Sequence, residues 1–337
     1  MSCGVVLFLK SDNGHLFKKI FIISGFLISC ILIFVILLFI DWQLFFETIQ
    51  HIQPSWLILS VILVFFSVFI RSLRWNLIAV YDIKKLKHFW DATNLGYLGN
   101  LIYPARAGEI LRIVALRKFI PIAEGRALSS SVIDRLSDGI MIPIFLVILI
   151  EYFGQTVNIP YPVQILALFF VGISIFVIIF IIWGKGHEKA VVKRFSRLPS
   201  KWIEKISQWY NQAHEGASTL KNLRLLTSVF SLSLLSFISD SLTYYALFLA
   251  FGWGLSFPVA LLVCVFIFAG STLPSTPGYF GIYQVACILA FRPFGISDTA
   301  SVAYSLVLQC IAYTIFLIVG GWIIYTRGLS IRSMKTN

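Results

Sequence analysis

Apolar runs of about 20 residues, long enough to cross a hydrocarbon core as helices, recur along this chain with short polar breaks between them. Ile20–Ile40, Ser55–Ile70, Ser129–Ile150, Val163–Trp183, Leu225–Phe251 and Thr299–Thr326 read as full spans. Two further apolar regions are broken. Leu95–Leu116 is interrupted at Pro104, and Pro258–Phe291 at Pro274, Pro277, Gly278 and Gly281. Proline and glycine interrupt the helical ladder and leave backbone groups that hydrocarbon cannot satisfy. Broken segments of this kind belong where protein or a polar cavity surrounds them. The pattern predicts an all-α polytopic membrane protein with about six full spans and two helical hairpins.

Basic residues orient these elements. Segments 1–19, 71–87, 117–126, 184–224 and 327–337 hold 23 of the 27 Lys and Arg, and loops 41–54, 151–162 and 252–257 hold none. Placing the basic loops inside puts both termini in the cytoplasm. It also makes each broken region enter and leave on one side: Leu95–Leu116 dips in from the cytoplasm and Pro258–Phe291 from outside. Opposed broken segments are a transporter device that marks a midplane site. The expected organisation is a cytoplasmic N-terminus (1–19), one transmembrane domain (20–326) with a basic loop at 184–224, and a cytoplasmic tail (327–337). The start reads as a first span rather than a cleaved leader, because the apolar run is long and ends in Asp41-Trp42-Gln43. The 184–224 loop reads either as an amphipathic surface helix or as a solvated loop with anchoring aromatics.

Composition agrees. The chain is 58% apolar and 12% charged, about half the charge of a soluble domain. A net charge of +12 in such a chain points to anionic lipid rather than nucleic acid. The five cysteines have no metal or redox spacing, and all five histidines fall in polar loops, so no metal, cofactor or histidine-built catalytic site is expected.

The candidate chemistry lies in charges within apolar sequence, where each unpaired one costs roughly 2.5–3.5 kcal/mol at a lipid-facing helix centre. In Tyr103-Pro-Ala-Arg106-Ala-Gly108-Glu109-x2-Arg112, spacings of three put Arg106, Glu109 and Arg112 on one helical face. This reads either as a phosphate site at a hairpin tip, aided by a helix N-terminus, or as a salt-bridged staple. Asp134-Arg135-x2-Asp138 reads as an interfacial ion pair, or as acids that hold Arg106 or Arg112 until an anionic lipid arrives. Pro274, Pro277, Gly278, Gly281 and Gln284 suit a gating re-entrant loop, with Ser275 and Thr276 offering neutral hydrogen bonds. Arg71-x2-Arg74-Trp75 reads as a snorkelling anchor or as headgroup capture at a cavity mouth. Asp240, alone in its span, is a candidate coupling acid or a balance for an arginine.

Together these motifs resemble the lysylphosphatidylglycerol synthase transmembrane family, the flippase-like membrane domain of the multiple peptide resistance factor. The resemblance rests on Arg71-x2-Arg74-Trp75, Gly99-Asn100-x3-Pro104-x-Arg106-x-Gly108-Glu109-x2-Arg112, Asp134-Arg135-x2-Asp138 and Pro274-x2-Pro277-Gly278-x2-Gly281, in family order. Gly-Tyr-Phe-Gly at 278–281 replaces the family's glycine-rich run, and Gln284 stands where an acid is common. The resemblance implies a stand-alone lipid transporter or flippase of the cell membrane. Its partner would be an anionic phospholipid, a polyisoprenyl phosphate or a hopanoid-type lipid, together with enzymes of lipid biosynthesis. Arg106, Arg112 and Arg74 would hold the headgroup, with Glu109, Asp134, Arg135 and Asp138 as charge partners. The alternatives are a membrane-embedded lipid-modifying transferase and a non-catalytic partner of a biosynthetic enzyme.

Overall fold

The computed structural model describes residues 41–79, 82–103, 106–154, 222–272 and 277–328, with scattered helical positions between 161 and 211. The expected spans at 20–40 and, for most of its length, 163–183 lie outside the described residues, as do the 184–224 loop (except Ser207, Asn211 and 222–224), both terminal segments, Pro104 and Leu273–Thr276. Every described element is helical. The helices are α1 (Trp42–Gln50), α2 (Pro54–Ala79), α3 (Leu86–Ile102), α4 (Gly108–Phe119), α5 (Glu124–Gly139), α6 (Met141–Phe153), α7 (Leu223–Ala250), α8 (Phe257–Ser271), α9 (Ile282–Phe291) and α10 (Asp298–Thr326).

Four described stretches are long and apolar enough to cross a membrane: Pro54–Ala79, Glu124–Phe153, Leu223–Ala250 and Asp298–Thr326. Except for one residue, Phe251, they contain the four described full spans expected from hydropathy. The second is α5 and α6 in sequence. Pro143 explains the interruption between them, since it has no N–H to give the Gly139 carbonyl one turn earlier. Helix α2 is apolar outside and polar inside. Ile58, Ile62, Phe65 and Phe69 are exposed along one stripe, whereas Ser60, Ser67, Arg71 and Arg74 are buried along another. That arrangement suits a lipid solvent, where apolar side chains face outward and small or polar groups mediate helix contacts. Trp322 and Tyr325 stand exposed at the end of α10, as interfacial aromatics do.

The chain forms two compact units. The first takes the described residues up to Val64, Asn94–Ala115 and the chain from Ser241 onward. In it, α8 and α9 pack on each other, α9 packs on α10, and α10 on α1. Asp41 caps α1 by accepting from the Leu44 N–H at 3.1 Å, while its own N–H donates to Thr299 Oγ1 at 3.2 Å. Phe248, Trp253, Phe291 and Tyr304 pack ring against ring, and the Tyr304 hydroxyl donates to the Tyr244 carbonyl at 2.9 Å. The second unit takes Phe65–Thr93 and the described residues of Leu116–Asp240. Phe145 stacks on Phe237 there, and Trp75, fully buried, meets Phe89 edge-on and donates to Ser130 Oγ at 3.1 Å.

The region expected to be broken near Pro104 is a helical hairpin. Gly96 and Gly99 on α3 lie against Arg112 and Gly108 on α4. The Gly108 N–H donates to Asn100 Oδ1 at 2.9 Å. A methyl at Gly108 would fall on the Gly96 carbonyl oxygen and on Asn100, so glycine is what lets the helices meet. Gly108→Ala is expected to cost ~1–3 kcal/mol through overpacking, read as a lower thermal midpoint in detergent. Gly254→Ala, which points into open space, stays within ~0.5 kcal/mol of the native chain. Equal midpoints for the two variants would contradict the close approach.

Candidate functional site

Six charges of the second unit form one cluster. Arg74 on α2 is completely buried. Its Nε donates to Asp134 Oδ1 at 2.8 Å, its Nη1 to Asp138 Oδ1 at 2.7 Å and Ser233 Oγ at 2.9 Å, and its Nη2 to the Asp134 carbonyl at 3.0 Å. One turn earlier, Arg71 donates from Nη2 to Asp240 Oδ2 at 2.5 Å and from Nη1 to Ser67 Oγ at 2.6 Å. The Ser67 hydroxyl donates in turn to Asp240 Oδ1 at 2.6 Å. Arg135 reaches Asp134 Oδ2 at 3.0 Å and Asp138 Oδ2 at 3.4 Å. Three guanidinium and three carboxylate groups give no net charge. Helical spacing makes this possible: Ser67, Arg71 and Arg74 share one face of α2, and Asp134 and Asp138 lie one turn apart on α5.

Two expectations change here. Arg74 and Trp75 do not snorkel to an interface, because their side chains are buried and hydrogen-bonded inside the unit. Asp134 and Asp138, offered above as counter-charges for Arg106 or Arg112, have their ion pairs with Arg74, Arg71 and Arg135. Asp240 has company as well: Arg71 and Ser67 take both of its oxygens.

In the first unit, the hairpin tip carries the other charges. Arg112, buried on α4, pairs through Nε with Glu109 Oε2 at 3.1 Å. Arg106 sits in the turn between α3 and α4 with a left-handed φ of 57°. Its Nε is buried without a hydrogen-bond partner, and no described acid pairs with it. The N-terminal donors of α4, expected above to help an anion bind, are already engaged. The Gly108 N–H goes to Asn100, Glu109 N–H to the Arg106 carbonyl and Ile110 N–H to the Ala107 carbonyl. The tip therefore has a net charge of +1, and its one uncommitted charge is Arg106.

The second expected hairpin, α8 and α9, breaks through left-handed residues at Gly278 (φ 69°), Tyr279 (φ 58°) and Gly281 (φ 86°). Pro277 and Gly278 open a short 3₁₀ turn, and Gln284 stands in the first turn of α9. Pro274, Ser275 and Thr276 lie outside the described residues. The sequence singles out Gln284 but not its partner Gln309 on α10, nor Asn100 as the acceptor for the Gly108 N–H, nor Ser67 and Ser233 as ligands of the charged groups. Neutral amides and hydroxyls on apolar helices carry no distinguishing periodicity. The signal available was their occurrence at polar positions in line with the charged ones, as with Ser67 and Arg74 seven residues apart. Among the described residues, no group of three or more His, Cys, Asp or Glu is placed to hold a metal ion.

The model of the lysylphosphatidylglycerol synthase TM region matches residues 22–320. A UPF0104 membrane protein of Methanocaldococcus jannaschii is 27% identical over 307 residues, covering 87% of this chain and 91% of its own. Two UPF0104 membrane proteins of Methanothermobacter thermautotrophicus are 25% and 24% identical. The first covers 77% of this chain and 80% of its own, the second 84% and 86%. No solved structure matches the chain.

Breaking one partner of the buried cluster leaves a charge without its counter-ion. Asp134→Asn and Arg74→Met are each expected to destabilise the second unit by ~3–5 kcal/mol. Arg135→Gln, whose side chain is 25% exposed, costs at most ~1 kcal/mol. Thermal unfolding in detergent ranks them. An Arg135 variant as destabilised as the Arg74 variant would contradict the burial order.

Proposed function

The chain belongs to the lysylphosphatidylglycerol synthase TM region family, and we propose that it is a plasma-membrane carrier that moves a polar, phosphate-bearing lipid headgroup between leaflets. That it is an integral multi-pass membrane protein follows from its family and from the four described stretches long and apolar enough to cross a membrane. The carrier activity, the lipid and the direction are our reading.

The observation that carries it is the uncommitted guanidinium of Arg106. Arg71, Arg74, Arg112 and Arg135 each have an acid within salt-bridge distance. Among the described residues Arg106 has none, a property it shares with Arg126 on α5, but Arg106 alone of the two occupies a turn between packed apolar helices in a backbone conformation that costs a non-glycine residue of order 1–3 kcal/mol. Such strain persists where the surroundings over-determine it, and functional sites are where it collects. A guanidinium presents parallel donors that fit a phosphate bidentately. A single positive charge at the tip attracts an anionic headgroup without the deep trap that several would make.

In this reading both hairpins are re-entrant. The first brings Arg106 to membrane depth, and the second lies opposite and closes the path. Moving a headgroup through hydrocarbon is the costly step. A seam lined by Arg106 and neutral hydrogen-bonding groups lowers that cost while the acyl chains remain in lipid. Glu109 holds Arg112 in place, so Arg112 shapes the tip and supports its positive potential while Arg106 does the binding.

The test is a headgroup-accessibility assay in proteoliposomes, with a labelled anionic phospholipid and an impermeant quencher. A charge-assisted hydrogen bond is worth roughly 1.5–3 kcal/mol, so Arg106→Ala is expected to slow translocation about 10-fold or more. Arg106→Lys retains part of the rate. Arg292→Gln, which alters only an exposed pair with Asp298, leaves it unchanged. Equal rates for the native chain and Arg106→Ala would remove Arg106 from the site.

A further inference from the structure

Gln309 on α10 belongs to neither hairpin, yet it is 1% exposed and reaches into the break of the second. Its Nε2 donates to the Gly278 carbonyl at 3.0 Å and to the Tyr313 hydroxyl at 2.8 Å. Its Oε1 accepts from Gln284 Nε2 at 2.6 Å, and Gln284 Oε1 accepts from the Gly281 N–H at 2.7 Å. The network has a direction. The Gly281 N–H needs an acceptor, which turns the Gln284 amide nitrogen toward Gln309. That in turn points the Gln309 nitrogen at the Gly278 carbonyl. Each amide has one workable orientation.

This chain of bonds holds the two glycines that are left-handed on either side of Tyr279. It also sets a contact between hairpins within the first unit. A side chain at Gly278 would begin 3.3 Å from Leu101 Cδ1, in the last turn of α3, and 2.8 Å from the Tyr313 hydroxyl. The break of the second hairpin therefore lies against the end of the helix that leads into the Arg106 turn. Gly278 has no side chain to spare for this contact, and its carbonyl is fixed by Gln309.

We propose that Gln309 is a positioning residue for lipid movement: it holds the Gly278 carbonyl, and through it sets the approach of the second hairpin to the end of α3. This rests on the carrier reading for its activity readout, while its structural readout does not. Loss of the Gln309 donor frees the Gly278 peptide to turn. The left-handed stretch relaxes, and Leu101 loses its backbone neighbour.

Two measurements test this. In the first, Leu101→Cys is placed in the full-length chain in proteoliposomes. Its alkylation by a membrane-permeant maleimide is followed by mass spectrometry of the peptide that carries it, with native Gln309 or with Gln309→Leu. Alkylation about 10-fold faster in the Gln309→Leu background is the expected result, and equal rates overturn the proposal whether or not the protein moves lipid. In the second, Gln309→Glu is assayed for translocation from alkaline to acid buffer. A protonated carboxyl can donate to Gly278 and accept from Gln284, whereas a carboxylate repels the carbonyl. Its rate is expected about 10-fold below native in alkaline buffer and close to native in acid, while Gln309→Leu stays slow throughout. A Gln309→Glu rate that matches native in alkaline buffer, or that follows Gln309→Leu at every pH, overturns it. Failure of the carrier reading looks different: the native chain and Arg106→Ala translocate alike, while the Leu101 alkylation still reports on Gln309.

Discussion

A charge inside an apolar helical bundle must meet an opposite charge or a ring of hydrogen bonds, and this requirement organises the chain. Hydrocarbon offers no water to screen a guanidinium or to hydrate a carboxylate. In the second unit the buried cluster of α2, α5 and α7 meets the requirement charge for charge. Three arginines and three aspartates neutralise one another, and serine hydroxyls take further donors and acceptors. The exposure gradient follows the same logic, from Arg74, sealed on all sides, to Arg135, a quarter open. The cluster can hold α2, α5 and α7 together because each contributes a charge that the others need.

Against that background, the hairpin tip in the first unit stands out. Arg112 has Glu109, and the helix N-terminus has Asn100. Arg106 has neither acid nor hydrogen bond at Nε, and it occupies a backbone conformation that arginine rarely adopts. Among the described residues, Arg126 on α5 shares the open Nε and the missing acid, but not the left-handed backbone, and it is this combination at the hairpin turn that makes Arg106 the group proposed to bind. The second hairpin adds the neutral counterpart: glutamines and glycines, with no formal charge, whose bonds fix the backbone at a break.

Much of this is legible in the sequence, and the limits have physical causes. Hydropathy locates the four described spans, because length and apolarity are what a bilayer selects. The breaks between α3 and α4 and between α8 and α9 are legible from proline and glycine. The motifs Arg71-x2-Arg74 and Asp134-x3-Asp138 are visible, yet their partners are not. Pairing across helices depends on which faces meet, and local spacing draws Arg106 toward Glu109 and the nearest acids instead. The snorkelling reading of Arg74 fails for the same reason: its position near the end of an apolar run says nothing of the acids on α5 that make burial possible. Gln309 is invisible, and Asn100 is legible only as a motif residue without its partner Gly108, because a neutral amide is recognised by what it touches.

The most direct measurement is of lipid retention. The purified chain is carried through mild detergent and its bound phospholipid is weighed by native mass spectrometry, alongside Arg106→Gln and Arg292→Gln. An anionic phospholipid held by the native chain and by Arg292→Gln, and lost from Arg106→Gln, is the outcome predicted here. Equal retention by all three would contradict the claim that Arg106 is the group that takes the headgroup.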